Sequence, residues 1–381
     1  MKKRKLKVIT IVGTRPEIIR LSRVMPLLDK YVNHITVHTG QNYDYELNEI
    51  FYKDLELRKP DYYLGINTST LGHVLGETII KIEEVFIKEK PDAVLILGDT
   101  NSSIAGIIAK RLKIPIFHME AGNRSFDFNV PEEINRRVID HIADFNLVYT
   151  EHARRHLLSE GLPHRRIYLT GSPMYEVLKE QKSKIDSSEI LNTLKLKRKE
   201  YFIVSTHREE NVDNPDHLSQ ILVILNSLAQ EYDVPVIVST HPRTRKKLEA
   251  FNFSMDKRVQ FLKPFGFTDY VNLQLNAKCT ISDSGTISEE SAILSFPAIS
   301  LRQSMERPEA QDAGTIVLTG FNKDIILNSV NAVIEEHEKG KYIHVPIEYE
   351  IKNTSWRVLK LILGNTKLSN KWAGIVANKE K

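Results

Sequence analysis

Ten short apolar runs, four to six residues each and rich in branched side chains, alternate with longer stretches of helical spacing, and few folds accommodate that alternation. Runs of this kind are the buried strands of a parallel sheet whose crossovers are helices. In the first half they are KVITIV (7–12), HITVHT (34–39), AVLIL (93–97), PIFHM (115–119) and FNLVYT (145–150). In the second half they are YFIVST (201–206), PVIVST (235–240), VQFLKP (259–264), CTIS (279–282) and PAISL (297–301). Between Thr150 and Tyr201 the pattern loosens into EVLKEQKSKIDSSEILNTLKLKRKEY, charged and helical, which places a domain boundary near Pro173. After Trp356 the chain reads as a helix (RVLKLIL) and then a polar tail. The expected fold class is α/β, with two doubly wound Rossmann-like domains. A length of 381 residues suits two domains of ordinary size.

Charge and cysteine content remove several function classes. The net charge of +4 arises from 53 basic and 49 acidic residues, a near balance unlike the footprint of a nucleic-acid binder, though it suits an anionic small substrate. Cys279 is the single cysteine, so neither an intrachain disulfide nor a thiolate metal site can form. The opening MKKRKLK is basic like a signal n-region, but VITIVGTRPE breaks off too soon for an h-region, so a solvated basic tail is expected. No apolar stretch approaches a membrane span, and a cytoplasmic location is expected.

Polar and charged residues gather where the strands end, which is where open parallel sheets bind ligands. ITIV runs into GTRPEIIR, LIL into GDTNSS, PIFHM into EAGNR, FIVST into HREEN, VIVST into HPRTR, and CTIS into DSGTISEE. In DSGTISEE, Ser284, Gly285 and Thr286 open a helix whose free N–H groups could hold a phosphate; an ordinary N-cap explains the same residues equally well. Arg15, Arg20, His207, Arg302 and Arg307 could add positive charge from other strand ends. Neither GxGxxG nor GxxxxGK[ST] occurs, which disfavours dinucleotide and P-loop readings.

Asp99 and Glu120, at the ends of apolar runs, are candidates for acid–base work. An Asx turn or N-cap competes for Asp99. Glu132 and Glu133 follow Pro131 and also read as first-turn acids of a helix whose buried stripe would be Ile134, Val138, Ile142 and Phe145. His118-Met119-Glu120 has the H-x-E form of zinc deaminases, but that chemistry needs a later P-C-x-x-C, which Cys279 alone cannot supply.

Taken in order, VGTRPEIIR, LGDTNSS, HMEAGNR, PEEINR, THREEN, HP, SDSGTISEE and ERPEA resemble the non-hydrolysing UDP-N-acetylglucosamine 2-epimerase family, over Lys7 to Val358. The resemblance implies a glycosyltransferase-B type fold in which the two domains face a central cleft. The first, residues 1–172, would carry the acid–base carboxylates, with helix 360–381 packing back on it. The second, 173–359, would bind UDP. No metal or nicotinamide is implied, and a homodimer is.

The family chemistry removes the C2 proton and expels UDP from C1, leaving a 2-acetamidoglycal to which UDP re-adds after protonation of the opposite face. Carried over by motif, this makes Asp99, Glu120 and Glu132 the acid–base set. Arg15, Arg20, His207 and the Ser284–Gly285 turn would hold the diphosphate, with His207 counted among the catalytic residues too. Thr286 and Arg307 complete the UDP set, Glu290 would take the ribose hydroxyls, and Tyr270 would pack on uracil. Arg20 stands where the glucosamine branch usually has lysine, and Thr286 where it has a second glycine. The segments HMEAGNRSFDFNVPEEINRR, HTGQNYDYELN and LKPFGFTDY are more similar to the branch that forms UDP-N-acetyl-L-fucosamine from UDP-2-acetamido-2,6-dideoxy-L-talose for capsule and O-antigen synthesis. UDP-GlcNAc/UDP-ManNAc epimerisation, a UDP-sugar-dependent glycosyltransferase, a UDP-sugar sensor and a hydrolysing relative are the alternatives.

Overall fold

A computed structural model describes residues 4–40, 51–206, 214–240, 247, 253–340 and 345–375. The chain divides into two compact units, one formed by residues 1–179 with 350–381 and the other by 180–349. Sequence alone put the first passage at 172/173 and the return at 359/360.

The first unit is built on a seven-stranded parallel sheet ordered β3-β2-β1-β4-β5-β6-β7. Its strands are β1 (Lys7–Val12), β2 (Asn33–His38), β3 (Tyr62–Tyr63), β4 (Ala93–Leu97), β5 (Ile116–Ala121), β6 (Phe145–Val148) and β7 (Ile167–Leu169). Val8 pairs with Ala93 and Ile11 with Ile96, while Leu97 pairs with Met119, so β1, β4 and β5 end side by side. Ile9, Ile11, Val94, Ile96 and Ile116 form one buried layer with Ile82, Phe86 and Ile139 from the covering helices. Each such side chain contributes about 1.5–3 kcal/mol when withdrawn from water. β3 and β7 escaped the sequence reading because two or three residues carry too little periodicity to register.

The last helix, Thr354–Trp372, belongs to this unit. Val358, Leu359 and Ile362 are buried, and Trp372 meets Phe145 edge-on with ring centroids 6.2 Å apart. At its start Thr354 Oγ1 donates to the carbonyls of Thr170 and Ser172 at 2.9 and 3.2 Å. Gly171 (φ +82°) must be glycine here, since a Cβ would stand 2.6 Å from Ile351.

The second unit has a six-stranded parallel sheet ordered β10-β9-β8-β11-β12-β13. Its strands are β8 (Phe202–Ser205), β9 (Val236–Ser239), β10 (Val259–Leu262), β11 (Cys279–Ser282), β12 (Ala298–Ser300) and β13 (Val317–Leu318). From Tyr201, just before β8, to Val204, alternate residues serve opposite faces. Phe202 and Val204 pack with Leu222, Leu225 and Ile281, whereas Tyr201 and Ile203 pack with Ile237 and Leu273. In both sheets the strand order reverses beside the first strand, between β1 and β4 and between β8 and β11. Such a reversal is where a doubly wound sheet opens a crevice for ligand.

Candidate active site

The reversal in the first unit gathers three of the expected residues. Arg15 opens the helix Arg15–Leu21 after β1, Asp99 follows β4, and Glu120 lies within β5. The chain does not run straight through Glu120. Register shifts between Met119 and Ala121, and Glu120 takes φ +63°. A left-handed glutamate costs about 1–3 kcal/mol, strain that usually marks function. The bulge turns its carboxylate toward Arg20, whose Nη1 lies 3.1 Å from Oε2. Oε2 also lies 4.0 Å from where a Cβ on Gly98 would stand, beside the backbone that carries Asp99. Arg20, expected on the diphosphate, is buried between this carboxylate and the Tyr149 ring (5.5 Å). Arg15 is half-buried, 5.7 Å from the Phe51 ring centroid.

Asp99 is gripped by a fork. Arg136 Nε and Nη2 reach its Oδ2 at 2.8 and 2.6 Å, while Arg136 Nη1 donates to Glu133 Oε2 at 2.8 Å. This corrects part of the expected burial pattern of the helix Pro131–Ile142, since Ile142 packs against the core and Phe145 beyond it is buried as expected, but Ile134 is not. Ile134 is 54% exposed, and the buried face consists of Glu133, Arg136, Ile139 and Asp140. Glu133 is fully enclosed, accepting from Ser125 N and Oγ at 3.0 Å each and from Arg137 Nε at 3.0 Å. Those donors hold its carboxyl below the ordinary range although burial opposes them. Glu132, its neighbour, is half-buried in the first turn.

Glu17 was not foreseen. Its carboxylate is 1% exposed and accepts from the backbone N–H of Gly13, from Thr14 N at 2.9 Å, from Thr100 Oγ1 at 2.5 Å and from Ser102 Oγ at 2.8 Å. One buried carboxylate thereby joins the turn bearing Arg15 to the turn bearing Asp99. Burial raises its pKa, with the four donors opposing. The signal was available: Thr14-Arg15-Pro16-Glu17 has the spacing of a capping box.

In the second unit the chain leaves β11 through Asp283 and the Ser284–Thr286 turn into the helix Ile287–Leu294. The turn is internally bonded, with Ser284 Oγ 3.0 Å from Thr286 Oγ1 and Ser284 N donating to Ser282 Oγ at 3.1 Å. Arg307 is buried and donates through Nη1 to the Gly285 carbonyl. A Cβ on Gly285 would meet Arg307 Nη1 at 2.5 Å and Glu306 Oε1 at 2.7 Å, so both of these buried side-chain ends would have to shift to admit one. Arg302 Nη1 in turn lies 2.6 Å from Glu306 Oε2. Glu290 is buried and accepts from Gln274 Nε2 at 2.8 Å. Tyr270 packs against the Tyr201 and Leu273 cluster; burial, with the nearby Glu290 charge, pushes its phenol pKa up. His207, HREEN and HPRTR lie outside the described residues. Among the described residues, no group of three or more His, Cys, Asp or Glu is arranged to hold a metal ion, and no helix is long and apolar enough to cross a membrane.

The UDP-N-acetylglucosamine 2-epimerase family model matches residues 28–363. The chain belongs to that family. A solved UDP-N-acetylglucosamine 2-epimerase from Rickettsia bellii is 47% identical, with 98% of this chain and 100% of that one covered and a TM-score of 0.92. The Methanocaldococcus jannaschii UDP-GlcNAc 2-epimerase, solved with UDP-GlcNAc and UDP, is 35% identical over 94% of this chain and 99% of its own, with a TM-score of 0.88. A Pseudomonas aeruginosa UDP-2,3-diacetamido-2,3-dideoxy-D-glucuronate 2-epimerase is 35% identical over 85% of this chain and 91% of that protein. The protein is therefore an isomerase of the non-hydrolysing type, and its two parallel-sheet α/β units are those of the glycosyltransferase-B type fold. In this epimerase, sequence reasoning found the strand-end residues, read Glu133 as a first-turn helix acid, and missed Glu17 and Arg136, the charged groups that hold them.

Proposed function

We propose that this epimerase inverts C2 of a UDP-2-acetamido sugar by eliminating UDP and adding it back through a 2-acetamidoglycal. Its substrate is UDP-2-acetamido-2,6-dideoxy-L-talose and its product UDP-N-acetyl-L-fucosamine, a sugar for capsule and O-antigen synthesis. The observation that carries the chemistry is the placing of Asp99 and Glu120 at the ends of adjacent strands, with the helix that begins beside Glu132 tied to Asp99 through Arg136. The C2 hydrogen is a very weak acid, so its removal needs UDP to leave as the proton departs, and inversion needs an acid and a base on opposite faces. Asp99, Glu120 and Glu132 form that set, with His207. Arg15, Arg20, His207, the Ser284–Thr286 turn and Arg307 take the diphosphate, Glu290 the ribose and Tyr270 the uracil. The enzyme works as a cytoplasmic homodimer.

The substrate rests on sequence: Arg20, Thr286, GDTNSS and the short GNRSFDFNVPEE loop depart from the glucosamine pattern together. A second reading, interconversion of UDP-GlcNAc and UDP-ManNAc, is favoured by the names of the relatives at 47% and 35% identity. Incubating the enzyme with each nucleotide sugar in deuterated water, read by proton NMR, separates the two. Inversion of the L-talose derivative with UDP-GlcNAc untouched supports the first. Inversion of UDP-GlcNAc alone establishes the second, and free sugar accumulating with UDP contradicts both.

A further inference from the structure

Beneath the candidate acids lies a histidine that the chemistry above leaves without a task. His118 on β5 is fully buried, its Nε2 2.9 Å from the Gly98 carbonyl and its Nδ1 2.9 Å from Asp140 Oδ1. A carbonyl can only accept, so Nε2 carries the proton toward Gly98. Gly98 also donates its own N–H to the Met119 carbonyl at 3.0 Å. Its peptide groups are thus clamped by β5 on both sides, and the next residues along the two strands are Asp99 and Glu120. Asp140 in turn accepts from Gly122 N at 3.2 and 3.1 Å and from Arg124 Nη1 at 2.7 Å. It projects from the helix that begins beside Glu132 and presents Arg136 to Asp99. His118 thus ties the segment that bears Asp99 to the strand that bears Glu120, and Asp140 ties the Glu132 helix to the residues just past that strand.

We propose that His118, through its Nε2 bond to the Gly98 carbonyl, is a positioning residue that fixes Asp99 relative to Glu120 for proton transfer at C2. The proposal rests on the epimerase reading above. Both strand ends need such a brace. Gly98 sits at φ +72°, a conformation glycine can readily leave, and Glu120 is held at φ +63° against its own preference. Without the Nε2 donor the Gly98 carbonyl would be buried and unpaired, so its peptide would rotate toward another partner and carry Asp99 with it. Misplacement of a reacting group by about 1 Å costs about 100-fold in rate.

Two amides divide the tethers. In His118→Gln the side-chain nitrogen falls near the place of Nε2 and keeps the bond to Gly98; in His118→Asn it falls near Nδ1, beside Asp140, and loses that bond. We expect H118N to lose about 100-fold in kcat with KM little changed, and H118Q to stay near wild type at a similar melting temperature. Equal turnover in the two variants overturns the positioning role. So does failure of either to fold, which would assign His118 to stability alone. Absence of C2 hydrogen exchange in the wild type with either nucleotide sugar overturns the epimerase reading itself, and is distinguished by occurring before any substitution.

Discussion

The Arg136 guanidinium closes on Asp99 Oδ2 through two nitrogens, at 2.8 and 2.6 Å, and spends its third on Glu133 at 2.8 Å. A lysine offers one point charge and cannot hold both acids in this plane. Arg136→Lys should lower kcat by about 10–100-fold. It should also destabilise the fold by about 2–4 kcal/mol, because Glu133 remains buried with one donor fewer. Steady-state kinetics and denaturant unfolding of the same preparation check both effects.

Asp99, Glu120 and Glu132 should each be indispensable for proton transfer. Asp99→Asn, Glu120→Gln and Glu132→Gln should each cost about 100–10,000-fold in turnover, since an amide cannot exchange the proton. UDP affinity, measured by calorimetry, should change little. A variant with near-normal turnover would remove that residue from the acid–base set.

Gly285→Ala should weaken UDP binding by about tenfold or more while leaving the first unit intact, because the new Cβ would drive against buried Arg307 and Glu306. Calorimetric titration with UDP reads the loss.

His38 gives the first unit a pH dependence. The ring is buried, its Nδ1 accepts from Gly40 N at 2.9 Å, and it stacks on Tyr63 at 5.2 Å. Burial holds its pKa down at about 4, against an ordinary 6.5. Between those values the unfolded chain binds a proton that the folded chain does not, so stability falls as pH drops from 6.5 to about 4. The loss should be on the order of 2–3 kcal/mol and should be missing from His38→Gln in unfolding titrations across that range.

Glu160 acts over a more acidic range. The Arg124 fork, at 2.7 and 2.6 Å, holds its carboxyl down at about 2, with burial opposing. Its contribution is fully present above the ordinary 4.5 and is lost as pH falls through about 2. Glu160→Gln should cost about 1–2 kcal/mol near neutrality, at the low end for a charged pair because solvent reaches Glu160, and progressively less in acid.

The sheet strands were legible because Val- and Ile-rich runs such as AVLIL and KVITIV have little else to become, and the strand-end positions of Arg15, Asp99 and Glu120 followed from them. The helix 131–142 was misread in part, for a physical reason. Glu133, Arg136, Arg137 and Asp140 recur at helical spacing, which ordinarily marks a solvated face. Here that face turns inward, because Asp99, Ser125, Arg124 and His118 supply partners that no local pattern reveals. Buried charge depends on residues distant in sequence; apolar periodicity is written locally.

Departure and return of UDP can be followed with an oxygen-18 label placed in the bridge between C1 of the sugar and the β-phosphate. Elimination and re-addition predict that the label scrambles into the non-bridging positions of the recovered nucleotide sugar while C2 inverts. Inversion at C2 with the label still wholly in the bridge would contradict departure and free return of UDP.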